Sequence, residues 1–190
     1  GEYTVPAGSA IASLSGVDAD AFGLSSLNVV SDVEIQGVSK DDAFVISGAE
    51  ELLEFPVASY VNDILAGSLS LTLRSDLCYG YNTQAITNLC LKKDVLKESI
   101  EDVCSTNNPS MQVYNSGAPV QVVDIRQSAV GTNKIKETFN VVNVGGGLVY
   151  LPGSFTSTCQ GHDDEKDMLL VTLTNPQNNF VAECSALGKT

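Results

Sequence analysis

The sequence predicts an all-β protein, folded as a β-sandwich. Apolar residues recur at every second position in several short runs, and turn residues separate these runs at fairly regular spacing. Hydrophobic residues make up 43% of the 190 residues and charged residues only 17%, with many Ser, Thr, Asn and Gly. Such a composition can bury a core and is typical of extracellular β-proteins, so we expect a sandwich rather than a fold of alternating strands and helices.

The first 26 residues differ from the rest, because they are rich in Gly, Ala and Ser and show no sustained period. They are either a lead-in packed on the domain surface or an arm that adds as a strand to a neighbouring subunit. Four apolar side chains could fill a groove of that neighbour: Tyr3, Val5, Ile11 and Leu14. We therefore predict an extended N-terminal arm over 1–26. Residues 27–190 form the sandwich, which could divide into subdomains 27–67 and 68–190.

Strand patterns start at residue 27. The run LNVVSDVEI (27–35) alternates apolar and polar residues, as a half-buried strand does, and AFVIS (43–47) is a second short strand. The stretch 47–55 could form one helical turn, because Ser47 and Glu50 have the spacing of a capping box.

The clearest strand is GSLSLTLRS (67–75), where Leu69, Leu71 and Leu73 alternate with polar residues. A strand places all three leucines on one face, whereas a helix would scatter them. A further strand is predicted around residues 85–93, and the charges of 92–104 allow a short helix.

After Pro119, the runs VQVVDIRQSAV (120–130) and KIKETFNVVNV (134–144) predict an antiparallel hairpin that turns at 131–133. In the second run Ile135, Phe139 and Val141 face one way and polar residues face the other. The last short strands are expected in LVYL, MLLVTLT and NFVAEC.

The formal net charge is −13, which argues against nucleic-acid binding because no basic patch is present to displace counterions from phosphates. No apolar run reaches the roughly 18 residues of a membrane helix, so no transmembrane segment is expected. An acidic cluster could supply oxygen ligands to calcium, the one cofactor that we consider. It comprises Asp163, Asp164, Glu165 and Asp167. The cluster lacks the residue order of known calcium loops, and a solvated turn is the alternative.

Catalytic patterns are missing from the sequence. His162 is the single histidine, and neither a G-x-S-x-G elbow nor a glycine-rich phosphate loop occurs. We therefore predict no catalytic residue and a protein that is not an enzyme.

The chain has five cysteines, none of them in a C-x-x-C pair: Cys78, Cys90, Cys104, Cys159 and Cys184. With a β pattern and one histidine, they indicate structural disulfides in an oxidising compartment rather than a zinc site. The fifth cysteine is either buried and free or paired with another chain or segment.

The run FNVVNVGGGLVYLPG (139–153) resembles a strand and turn signature of Ig-like, adhesion-related domains in bacterial and archaeal surface proteins. The wider stretch 68–184, with SLSLTLRSDLCYGY, GAPV and the glycine turn, is similar to uncharacterised secreted proteins of small-genome archaea. The resemblance implies an Ig-like β-sandwich at an archaeal cell surface and brings no catalytic residues. It also implies the pairs Cys90–Cys104 and Cys159–Cys184, which leave Cys78 over.

Two functions are compatible with these features. In the first, the chain is a structural subunit of an extracellular filament, sheath or surface layer, and it self-associates into a homopolymer through β-strand contacts. In the second, it is a monomeric adhesion or ligand-binding module of a larger surface protein, with a binding loop at 159–167.

Overall fold

Strands and one short 3₁₀ turn are the regular elements of the residues that the structure describes, which confirms the predicted all-β class. A computed structural model describes residues 3–41, 44–62, 67–97, 99 and 102–174. The strands among these residues are β1 (Ala10–Ser15), β2 (Asn28–Val30), β3 (Ser39–Asp41), β4 (Phe44–Ile46), β5 (Arg74–Tyr79), β6 (Ala85–Thr87), β7 (Val113–Asn115), β8 (Val120–Val130) and β9 (Lys134–Asn143). One short 3₁₀ turn follows at Asp163–Glu165. The strands form four antiparallel sheets, ordered β2-β1-β5, β3-β4, β6-β7 and β8-β9.

The three-stranded sheet is organised around β1. Ile11 on β1 lies opposite Val30 on β2 and opposite Cys78 on β5, and its side chain is only 1% exposed. Ser31 donates its N–H to the carbonyl of Ala10 at 2.8 Å, which continues the pairing beyond β2. The sheet therefore buries its central strand between two partners of the same chain.

This placement corrects the expectation for the first 26 residues. Instead of a free arm, they contribute the central strand of the sheet, and Val5 forms a bridge in which it exchanges two backbone hydrogen bonds of 2.9 Å with Ile35. The reason is that the alternation in 10–15 is too weak to stand out in sequence, with Ala and Ser at four of six positions.

Residues 47–55 were expected to hold a helical turn, and that prediction is wrong. The structure describes all nine residues, and none is helical. Ala49 donates its N–H to the carbonyl of Gln36 at 2.9 Å, which ties the segment to a neighbouring stretch of chain. Leu53 and Phe55 then line a groove beside the three-stranded sheet. Tertiary packing has overridden the local capping pattern.

The predicted hairpin of β8 and β9 is confirmed. Val130 pairs with Lys134 next to the turn, where Gly131 has a φ of 71° that favours glycine. A bulge interrupts the register between Val123 and Arg126, and Asp124 there has a φ of 54°. The alternation predicted for β9 is also present, because the odd-numbered side chains from 135 to 141 are half-buried and the even-numbered ones from 134 to 140 are exposed.

The buried apolar side chains fall into two small groups. One surrounds β1, with Val5, Ala10, Ile11 and Ala12, and the other lies near β8, with Cys90, Val95, Ala118 and Ile125. The strands establish the all-β class, and a sandwich of two facing sheets stays a prediction.

Candidate assembly surface

Two disulfides join parts of the chain that carry the sheets. Cys90–Cys104 closes a loop with a sequence separation of 14, as the resemblance implied. The second bond joins Cys78 to Cys159, so the predicted pair Cys159–Cys184 is wrong. Cys184 lies outside the described residues.

The position of Cys159 explains its choice of partner. Its N–H donates to the hydroxyl of Ser13 on β1 at 2.9 Å, and its Sγ lies 3.0 Å from the carbonyl oxygen of Ile11. Cys78 is directly opposite Ile11 across the strand pair. The segment that carries Cys159 therefore crosses one face of the sheet, where Cys78 presents its side chain.

The four residues predicted to mediate assembly are engaged within their own chain. Val5 and Ile11 are buried, and Leu14 is half-buried with its N–H donated to Leu27 at 2.8 Å. The ring of Tyr3 lies 5.5 Å from that of Tyr81. These side chains hold the sheet together and do not form the outer surface.

The acidic cluster predicted to hold calcium is spread along an exposed turn. Asp163, Asp164 and Asp167 are exposed, and Glu165 is half-buried. Asp167 instead uses its N–H to bond the carbonyl of Val149 at 2.8 Å. In the part of the chain that the structure describes, no group of three or more acidic, His or Cys side chains is gathered as metal ligands require. His162 beside this cluster is exposed. Calcium binding stays a prediction.

The surface most available for contacts is the outer edge of β5. Among the described strands only β1 pairs with β5, so none of them covers the opposite edge. Gly80 donates its N–H to Ser9 at 3.2 Å, next to the end of the strand. Because backbone groups alternate along a strand, the N–H and C=O groups of Ser75 and Leu77 point away from β1. They form the free hydrogen-bonding row of an edge strand.

One face of β5 is apolar and exposed. Leu77 is 62% exposed and Tyr79 47% exposed, on the face that also carries Ala10 and Ala12 of β1. A groove of about 330 Å³ runs along this face between the sheet and the segment around Phe55.

The apolar row continues before β5 begins. Leu69, Leu71 and Leu73 are all exposed, and the structure places them in no strand. The predicted strand 67–75 is therefore shifted, with its regular part starting at Arg74. Its alternation is intact, but the leucines lack a neighbouring strand among the described residues.

The opposite face of β5 carries charge. Arg74 donates two hydrogen bonds to one carboxylate oxygen of Asp76, from Nε at 2.9 Å and from Nη2 at 2.7 Å. The hydrogen bond to Asp76 raises the pKa of Arg74, so the guanidinium stays charged. These two opposite charges cancel within three residues of the strand.

A second apolar patch lies on the hairpin of β3 and β4. Phe44, Val45 and Ile46 follow one another in β4, and all three are exposed, Phe44 by 76%. Successive side chains of a strand point to opposite faces, so Phe44 and Ile46 share one face of the two-stranded sheet and Val45 lies on the other, and both faces expose apolar surface.

No helix among the described residues has the length and hydrophobicity that a membrane span requires. In comparisons by sequence and by structure, no family model, curated protein or solved structure matches the chain. The functional interpretation therefore depends on the surfaces described above.

Proposed function

We propose that the chain is a non-enzymatic structural protein of the cell exterior, which self-associates into a filament, sheath or layer through β-strand contacts. The observation that carries this proposal is the exposed apolar surface on β4, β5 and the leucines before β5. Association is stabilised when another copy covers these side chains, by about 25 cal/mol per Å² of apolar surface removed from water.

Two further features support the same function. The described sheets are small, and three of the four have only two strands. Such sheets are marginal alone and become stable when strands are added to their edges. The two disulfides are typical of proteins that work in an oxidising environment, and the resemblance to secreted archaeal proteins agrees with a cell-surface location.

The test is the size of the purified chain with its disulfides intact. Light scattering over a range of concentrations should show species well above the monomer mass of 20.0 kDa, and negative-stain electron microscopy should show ordered polymers. A single 20 kDa species at every concentration would contradict the proposal and favour the monomeric adhesion module.

A pair of variants sharpens the measurement. Phe44→Ser removes the most exposed residue of the β4 patch and should weaken association. Val103→Ser is the matched control, because Val103 is fully exposed in the loop between Cys90 and Cys104, away from both patches. Equal effects of the two changes would mean that the β4 patch has no special part in assembly.

A further inference from the structure

We propose that β5 pairs antiparallel with β5 of a second copy, about a two-fold axis that passes through Ser75. This inference rests on the proposed function and specifies the contact: which strand, which partner and which register. The contact is isologous, so it joins two subunits, and a separate surface such as the β4 patch would extend the assembly further.

The first argument is the condition of the β5 edge. Natural sheets protect open edges with Lys, Pro, bulges or very short strands. The stretch 68–80 contains neither Lys nor Pro, and the six-residue β5 pairs with β1 in an uninterrupted register. The charged side chains of β5 are Arg74 and Asp76, which have opposite signs, so they can pair with those of a second copy.

The second argument is the distribution of charge. In the proposed register Arg74 lies directly opposite Asp76 of the second copy, and Asp76 lies opposite that copy's Arg74. These are non-hydrogen-bonded pairs, in which side chains approach most closely. Two copies that each carry a formal charge of −13 can meet here because the edge itself is neutral.

The third argument is the apolar pattern. The same register places Leu73 opposite Leu77 of the second copy and Leu71 opposite its Tyr79. If the second copy extends the strand back to residue 71, all four side chains lie on the groove face, because they share odd positions with Ser75. Leu71 and Leu73 thus acquire a neighbouring strand, which the described residues of one chain do not provide. The two sheets would merge into one of six strands.

The charges also discriminate against neighbouring registers. A two-fold axis through position 74 would set Arg74 against Arg74 of the second copy. An axis through position 76 would set Asp76 against Asp76. Like charges directly opposite each other are unfavourable, so among these three axes only the one through Ser75 pairs both charges favourably.

The experiment is a charge swap, made in the full chain with both disulfides present. Arg74→Asp places negative charge opposite negative charge across the axis, and Asp76→Arg places positive opposite positive. We expect each variant alone to dimerise at least about tenfold more weakly than the parent chain, as measured by sedimentation. An equimolar mixture should form a heterodimer, because each copy then faces opposite charges, and native mass spectrometry distinguishes it by mass.

The double variant Arg74→Asp/Asp76→Arg restores both pairs with reversed sign and should dimerise like the parent chain. Two variants control for net charge at exposed positions outside β5: Lys136→Asp matches Arg74→Asp, and Asp163→Arg matches Asp76→Arg. Circular dichroism and disulfide mapping of all variants check that the fold persists.

The outcomes separate this inference from the function on which it rests. A parent chain that stays monomeric overturns both. A parent chain that associates, with single variants that associate equally well or with a mixture that forms no heterodimer, overturns the β5 register and leaves assembly through another surface intact.

Discussion

Gln127 shows how one polar side chain can organise a region with little apolar core. Gln127 is buried, with only 3% of its surface exposed. The amide oxygen accepts the N–H of Cys90 at 3.0 Å, and the amide nitrogen donates to the carbonyl of Cys90 at 2.8 Å. The nitrogen also donates to the carbonyl of Thr106 at 3.3 Å. The side chain thus substitutes for a strand partner and ties the disulfide loop to β8.

Replacing Gln127 by Leu should therefore destabilise the protein, because it leaves the buried backbone groups of Cys90 without partners. We expect a loss of about 1–3 kcal/mol in the free energy of unfolding, measured with urea. Gln121→Leu on the same strand is the control, since Gln121 donates a single long bond of 3.3 Å. A similar loss in both variants would contradict this role of Gln127.

Glu137 is opposite Gln127 in the register of the hairpin. One oxygen of its carboxyl is buried and has no hydrogen-bond partner in the structure. Burial raises the pKa of Glu137 above its usual value of 4.5. The folded state then binds the proton more tightly than the unfolded state, so the ionised carboxylate costs stability above the folded pKa. That cost falls as the pH drops through the folded pKa.

Glu137→Gln should stabilise the chain at pH 7, by about 0.5 kcal/mol or less because water still screens the site. The gain should vanish below pH 4.5, where the carboxyl is protonated in both states. Urea unfolding at pH 7 and pH 4 measures the difference, and Glu54→Gln, at an exposed position, is the control. A gain that is the same at both pH values would mean that the charge is not its cause.

At the scale of elements, the two disulfides close loops of different length. Cys78–Cys159 spans 81 residues and Cys90–Cys104 spans 14. The chain-entropy account gives about 4.5 kcal/mol of stabilisation for the longer loop and about 3 kcal/mol for the shorter one. The longer bond also holds the segment around Cys159 against β1 and β5.

Replacing Cys78 and Cys159 together by Ser should thus lower the free energy of unfolding more than replacing Cys90 and Cys104 together. Urea unfolding of the two double variants at pH 7 compares them directly. The opposite order would show that contacts within the shorter loop outweigh loop entropy. The ion pair between Lys92 and Asp102, at 2.7 Å within that loop, is the contact to examine in that case.

Features with a local cause could be predicted from the sequence. The β8–β9 hairpin follows from alternation on both sides of Gly131, and the all-β class follows from repeated strands. The prediction of a helical turn at Ser47 was wrong because its capping pattern is only local, and packing beside the sheet overrides it. The partner of Cys159 could not be predicted, since it depends on which segment crosses β1.

The apolar face of the candidate surface could be predicted from the sequence, but its position at a sheet edge could not. Alternation at Leu69, Leu71 and Leu73 predicted a strand with one apolar face. Which sheet edge that strand occupies depends on β1, whose Ala and Ser residues give almost no periodic signal. The sequence did not indicate whether another strand covers that face, and the structure leaves the three leucines exposed.

At the scale of the whole molecule, the balance between buried and exposed apolar surface is the main finding. The two small buried groups lie around β1 and near β8, while large apolar side chains on β4 and β5 face solvent. Strand addition at β5 would enlarge the sheet that already holds the better buried group.

The bond between Cys78 and Cys159 has a mechanical consequence. A pulling force that enters before Cys78 and leaves beyond Cys159 passes through the sulfur atoms, so the 80 residues between these cysteines carry no load. Unfolding those residues would otherwise lengthen the molecule by about 280 Å, at some 3.5 Å per residue. Under tension the protein therefore cannot lengthen by this amount until the disulfide is reduced.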